Sequence, residues 1–66
     1  MSMVAFSVPP EILLDLNTTE TAFSNYVKMF LSLDLYKNRN ISLGYCAELA
    51  GMTEEDFIKF LSENGV

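Results

Sequence analysis

The side chains that could do chemistry are nine Asp and Glu, four Lys and Arg and one Cys, with no His among 66 residues. No metal-ligand spacing and no Gly-rich phosphate loop occurs. The adjacent acids Glu54, Glu55 and Asp56 open a helical pattern, where carboxylates ordinarily serve the positive end of the helix dipole. Cys46 falls at a small inward position with no base or cation near it in sequence, so a buried inert thiol is expected rather than a nucleophile. An enzyme is therefore not expected, nor is a cofactor or a metal.

The acids sit in the stretch with the most legible shape. Residues 42–62, SLGYCAELAGMTEEDFIKFLS, read as a helix-turn-helix. Ser42 caps a first short helix that carries Cys46, Ala47 and Ala50 on one side. Small residues let two helices approach closely, and Gly51 supplies the backbone freedom of the turn. Thr53 caps the second helix, Phe57 and Phe60 pack it back, and Gly65 follows its end. The second helix would expose Thr53, Glu54, Glu55, Ile58 and Lys59. A DNA reader needs cations there, because phosphates dominate affinity. Shape and charge disagree, so a protein-docking or purely structural corner competes with DNA readout.

Charge is uneven along the chain. The net value is −5. Residues 1–40 hold four acids and three bases, and residues 41–66 hold five acids and one base. Half of the residues are apolar, too many for intrinsic disorder. A chain of this length buries only about 60% of its unfolded surface, so added burial against another chain would help it. The apolar share predicts that part of the surface meets a partner. No apolar run reaches the roughly 18 residues that a membrane span needs. No basic start followed by an apolar run marks a secretory signal, and the lone Cys suits a reducing compartment, so a cytoplasmic protein is expected.

The elements before the corner read as strand, short helix and long helix. Residues 3–8 alternate, with Val4, Phe6 and Val8 on one side and Met3, Ala5 and Ser7 on the other, which predicts a short strand. Pro9 and Pro10 stop it. A short helix over residues 11–16 should then bury Ile12, Leu13 and Leu16. Asn17 with Glu20 three residues later reads as a capping box for a long helix reaching about Tyr36 or Lys37. That helix carries a polar stripe of Thr21, Ser24, Asn25, Lys28 and Ser32. Its apolar arc of Ala22, Phe23, Tyr26, Met29, Phe30 and Leu33, widened by Val27 and Leu31, exceeds what one neighbour covers. Two readings of the strand stand: pairing with its copy across a two-fold axis, or lying on its own helices or a partner's sheet edge. The expected architecture is mainly α, in a single domain of strand and dimerisation helices (1–40) followed by the helix-turn-helix (41–66). A homodimer is expected, with Met3, Ala5, Met29 and Leu33 as candidate dimer contacts.

The stretches VAFSVPPEILLDL, LDLYKNRNISLG and YCAELAGMTEEDFIKFLSENGV resemble a small uncharacterised family of prokaryotic antitoxin-like proteins, often encoded beside PIN-domain ribonuclease toxins. The likeness covers nearly the whole chain and is most specific in Ala47-Glu48-Leu49-Ala50-Gly51-Met52 with Phe57, Leu61 and Gly65. It implies an antitoxin: a dimer that blocks a toxin and contributes to repression of its own operon. This chain departs from the family's DNA-binding pattern: Thr53-Glu54-Glu55-Asp56 stands where basic or neutral residues are expected, and the strand lacks an early Lys or Arg. DNA binding should then be weak or need a partner's charge, with Lys37, Arg39, Thr53 and Lys59 as candidate contacts. A PIN toxin's basic RNA groove suits the acids, and Glu54, Glu55, Ile58 and Glu63 are the candidate toxin contacts. The competing reading is a protein–protein interaction module of helix-turn-helix shape that binds no DNA.

Overall fold

A computed structural model of the chain describes residues 5–66. It contains four helices: α1 (Pro10–Asp15), α2 (Glu20–Arg39), α3 (Leu43–Ala50) and α4 (Glu54–Glu63). No strand occurs among the described residues. The strand expected over residues 3–8 is not formed from Ala5 to Val8, which run without regular structure into Pro9. Met3 and Val4 lie outside the described residues. Alternation alone does not make a strand, because its amides and carbonyls need a neighbouring edge, and the two prolines remove donors. The mainly helical expectation holds, and the strand is withdrawn.

Left-handed residues stop every helix but in two different chemistries. Gly51 (φ 73°) ends α3 and Gly65 (φ 77°) follows α4. After α3, the Gly51 and Met52 amides donate to the Glu48 and Ala47 carbonyls at 3.1 and 2.9 Å. After α4, the Gly65 and Val66 amides donate to the Ser62 and Leu61 carbonyls at 3.2 and 2.9 Å. Both are the paired-bond closure in which a left-handed residue turns two amides back onto the last turn. Asn17 (φ 50°) makes the same closure after α1, its amide and that of Thr18 donating to Leu14 and Leu13 at 3.1 and 3.0 Å. Asn40 (φ 56°) ends α2, which runs to Arg39, slightly past the expected stop.

Asn17 thus terminates a helix instead of starting one. The N-cap of α2 is Thr19, whose hydroxyl accepts from the Ala22 amide at 3.1 Å. Ser42 and Thr53 cap α3 and α4 as expected, accepting from the Tyr45 and Asp56 amides at 3.3 and 3.1 Å.

The core lies where the second half of α2 meets α3 and α4. Phe57 is fully buried, with Cys46, Ala47, Phe60 and Leu61 beside it. Met29, Leu33, Leu35 and Tyr36 of α2 pack against this cluster, with Leu43, Ala50 and Met52 from the corner. Ser32, expected on the polar stripe, is instead completely buried. It lies between Met29 and Tyr36 at helical spacing, and its hydroxyl is satisfied by donating to the Lys28 carbonyl at 2.6 Å. A serine costs little inside when its one donor finds its own helix, and its small size leaves room for a close neighbour. In contrast, α1 buries nothing: Ile12 and Leu16 are exposed, Leu13 is half-buried, and Leu14 is 79% exposed. The inward placement expected of Ile12, Leu13 and Leu16 is corrected accordingly.

Two substitutions check this placement of the core by thermal and denaturant unfolding. Phe57→Ala should cost about 3–5 kcal/mol, whereas Leu14→Ala should stay within about 0.5 kcal/mol of the parent. Equal losses would contradict it. At the turn, a β-carbon on Gly51 meets nothing within 4 Å, so only the left-handed φ opposes it. Gly51→Ala should therefore cost about 1 kcal/mol and Gly51→Val more; unchanged melting would show that the turn does not need the glycine.

Candidate functional site

The outer face of α4 is the side of the corner that carries the acids. Phe57, Phe60 and Leu61 bury its inner face. Helical spacing therefore turns Glu55, Ile58, Lys59 and Ser62 outward, with Glu63 at their edge. All of these are exposed, and Ile58 keeps 52% of its surface open. Lys59 stands four residues from both Glu55 and Glu63, so two carboxylates flank the face's one cation. Glu54 leans the other way. Its Oε1 lies 3.3 Å from where a β-carbon on Gly44 would stand, over the first turn of α3. There the carboxylate faces the positive end of that helix.

The candidate DNA contacts do not converge. Lys37 and Arg39 are exposed in the last turn of α2, two positions apart and so on different sides of the helix. Lys37 shares a shallow groove of about 470 Å³ with Tyr36, Asn40, Ile41, Ser42 and Val66. Lys59 belongs to another helix, and the Thr53 hydroxyl already accepts the Asp56 amide. The candidate toxin contacts Glu55, Ile58 and Glu63 share the outer part of α4, while Glu54 is turned toward α3. Among the candidate dimer contacts, Ala5 is exposed. Met29 and Leu33 are half-buried against the chain's own core, and Met3 lies outside the described residues.

Two apolar surfaces lie apart from the candidate contacts named from sequence. One is a groove of about 450 Å³ lined by Leu16, Thr18, Ala22, Phe23 and Tyr26. The over-wide apolar arc of α2 was its signal. The other is on the outer side of α3, where Tyr45 is 71% exposed and Leu49, one turn further on, is also exposed. Its signal was the position of Tyr45 beside, and so turned away from, inward Cys46.

Among the described residues no group of three or more His, Cys, Asp or Glu is placed to hold a metal ion. No described helix is long and apolar enough to cross a membrane. Cys46 is buried, its Sγ lying 3.7 Å from the Ile41 carbonyl as a weak donor. Burial pushes the Cys46 thiol above its ordinary value by disfavouring the thiolate.

The described residues thus form a four-helix chain with a buried hydrophobic corner and an acidic outer helix. The chain matches the Uncharacterised protein family (UPF0175) over residues 1–66, and it belongs to that family. No curated protein and no solved structure matches it.

The thiol gives this site a chemical check. At neutral pH, Cys46 should react with a disulfide reagent far more slowly in the native protein than in denaturant, because it is both covered and protonated. The stability contributed by the neutral thiol should be full below the unfolded thiol value and lost as pH rises through the higher folded one. Immediate labelling of the native protein would show Cys46 to be accessible.

Proposed function

We propose that this chain is an antitoxin-like protein that binds and neutralises a PIN-type ribonuclease through the outer face of α4. The observation that carries the reading is Ile58: an apolar side chain, more than half exposed, with Glu55 and Glu63 on the same outer part of the helix. An apolar anchor surrounded by charges is the usual anatomy of a binding hot spot. Carboxylates at this spacing can enter a groove built for RNA phosphates, and opposite charge speeds association. The family likeness supplies the class of partner, and the cytoplasm is where such a partner would be met. The alternative is a protein–protein interaction module of the same shape whose partner is not a ribonuclease. The same face of α4 would serve it.

Operon repression, where it occurs, belongs to the complex rather than to this chain alone. Residues 41–66 hold five acids and one base, and the Lys37 and Arg39 side chains point apart. In mobility-shift experiments at about 0.15 M salt, where screening sets in beyond about 8 Å, the isolated chain should show no specific shift. A tight sequence-specific complex would overturn the electrostatic argument.

Co-expression with the product of the neighbouring gene tests the main reading. The parent should co-purify with it and suppress its ribonuclease activity. Ile58→Asp should weaken binding by about thirtyfold or more, and Glu55→Lys with Glu63→Lys should slow association most strongly at low salt. Binding unchanged in both variants removes α4 as the contact. Binding of a neighbouring protein without ribonuclease activity favours the alternative.

A further inference from the structure

We propose that Asn64–Gly65, at the end of α4, is a site of spontaneous deamidation whose rate is set by the opening of that helix end and whose product unties it. Asn17, Asn25, Asn38 and Asn40 are followed by Thr18, Tyr26, Arg39 and Ile41, whereas Asn64 is followed by a glycine. Without a β-carbon and with free backbone rotation, the Gly65 nitrogen can approach the side chain before it. That nitrogen attacks the Asn64 side-chain carbonyl carbon, Cγ. An N–Cγ bond forms, the Cγ–Nδ2 bond breaks, and ammonia leaves with the proton that the Gly65 amide gives up. Water then opens the resulting five-membered imide at one of its two carbonyl carbons. Cleavage of the N–Cγ bond yields aspartate. Cleavage on the main-chain side yields isoaspartate, in which the backbone runs through the side-chain carbon. Water is the only co-reactant.

In the folded chain both reacting groups are held. Asn64 Nδ2 donates to the Phe60 carbonyl at 2.8 Å, which turns the side chain back along α4. The Gly65 amide donates to the Ser62 carbonyl at 3.2 Å, and the Val66 amide to the Leu61 carbonyl at 2.9 Å. Ring closure must break the first two of these bonds. Their loss uncovers no core, because residues 62–66 are already exposed. Such an end opens locally, without global unfolding, and the reaction proceeds from that open state. Neither product restores the closure. An ionised aspartate has no proton to give the Phe60 carbonyl, and its charge meets the negative end of the helix dipole beside Glu63. Isoaspartate lengthens the backbone and shifts the Gly65 and Val66 amides off their acceptors. The turn that loosens holds Phe60 and Leu61, two of the buried residues of the corner. The proposal stands whether or not the partner of α4 is a ribonuclease.

The test is incubation of the full chain in mildly alkaline buffer, native and in denaturant. Intact mass is followed over time, and peptide fragmentation locates the modified residue. Asn64 should convert before any other asparagine and give both products. The native chain should convert at least about tenfold more slowly than the denatured one, the factor that two or three net hydrogen bonds supply. Gly65→Ala strains the left-handed turn and so favours opening, yet it should slow conversion by crowding the attacking nitrogen. Asn64→Asp reproduces one product and should melt about 5 °C below the parent. No conversion in either state, or another asparagine converting first, overturns the site. Equal native and denatured rates overturn its control by the helix end, and faster conversion in Gly65→Ala overturns the role of the glycine. Melting of Asn64→Asp with the parent overturns the untying.

Discussion

Phe57 is where the three main helices depend on one another. It has no open surface, meets the Tyr36 ring of α2 edge-on at 6.3 Å, and lies 6.2 Å from Phe60 on its own helix. Phe60 in turn meets Phe30 of α2 edge-on. Aromatic rings in these tilted and edge-on arrangements add to simple burial. Cys46 and Ala47 of α3 complete the cluster with side chains small enough to let the helices close around it. Among the described residues few other large side chains are fully inside, so the corner carries most of what holds them together.

That concentration has a consequence for the surface. With the inner side of α4 occupied by Phe57, Phe60 and Leu61, helical geometry sends Glu55, Ile58, Lys59 and Ser62 outward. With the second half of α2 engaged by the core, Tyr26 in its first half and Ile12, Leu14 and Leu16 at α1 stay exposed. The free surface of the described residues thus includes a charged helix with one apolar anchor, a neutral aromatic groove and the exposed Tyr45 side of α3. The proposed use of α4 follows its chemistry, since charge complementarity serves a basic partner.

The corner was legible in the sequence because several local signals agreed there. Ser42 and Thr53 had no competing role as caps, Gly51 stood at the turn, which needs a left-handed residue, and Cys46, Ala47, Phe57 and Phe60 fell on compatible faces. The N-terminal half was less legible because its signals are ambiguous. Asn favours both the start of a helix and the left-handed stop, and at Asn17 the closure of α1 won while Thr19 took the capping role. Ser32 looked solvent-bound by type, yet a hydroxyl bonded to its own helix can be buried. The alternation of residues 3–8 resembled a strand, but among the described residues Ala5 to Val8 have no strand edge to pair with. The exposure of Glu55, Ile58 and Lys59 on α4 was legible from spacing, whereas the groove needed the turn at Asn17 to bring Leu16 beside Tyr26.

The most direct test of the central claim, that the fold hangs on the α2–α3–α4 corner, is native-state hydrogen exchange resolved by residue. The amides of Cys46, Ala47, Phe60 and Leu61 should exchange only through global unfolding, with the same denaturant dependence as the whole molecule. The helical amides of α1, a six-residue helix with nothing buried, should exchange through local opening, much faster and with little denaturant dependence. Protection in α1 equal to that in α4 would mean that the N-terminal helix belongs to the cooperative core, and would contradict the account.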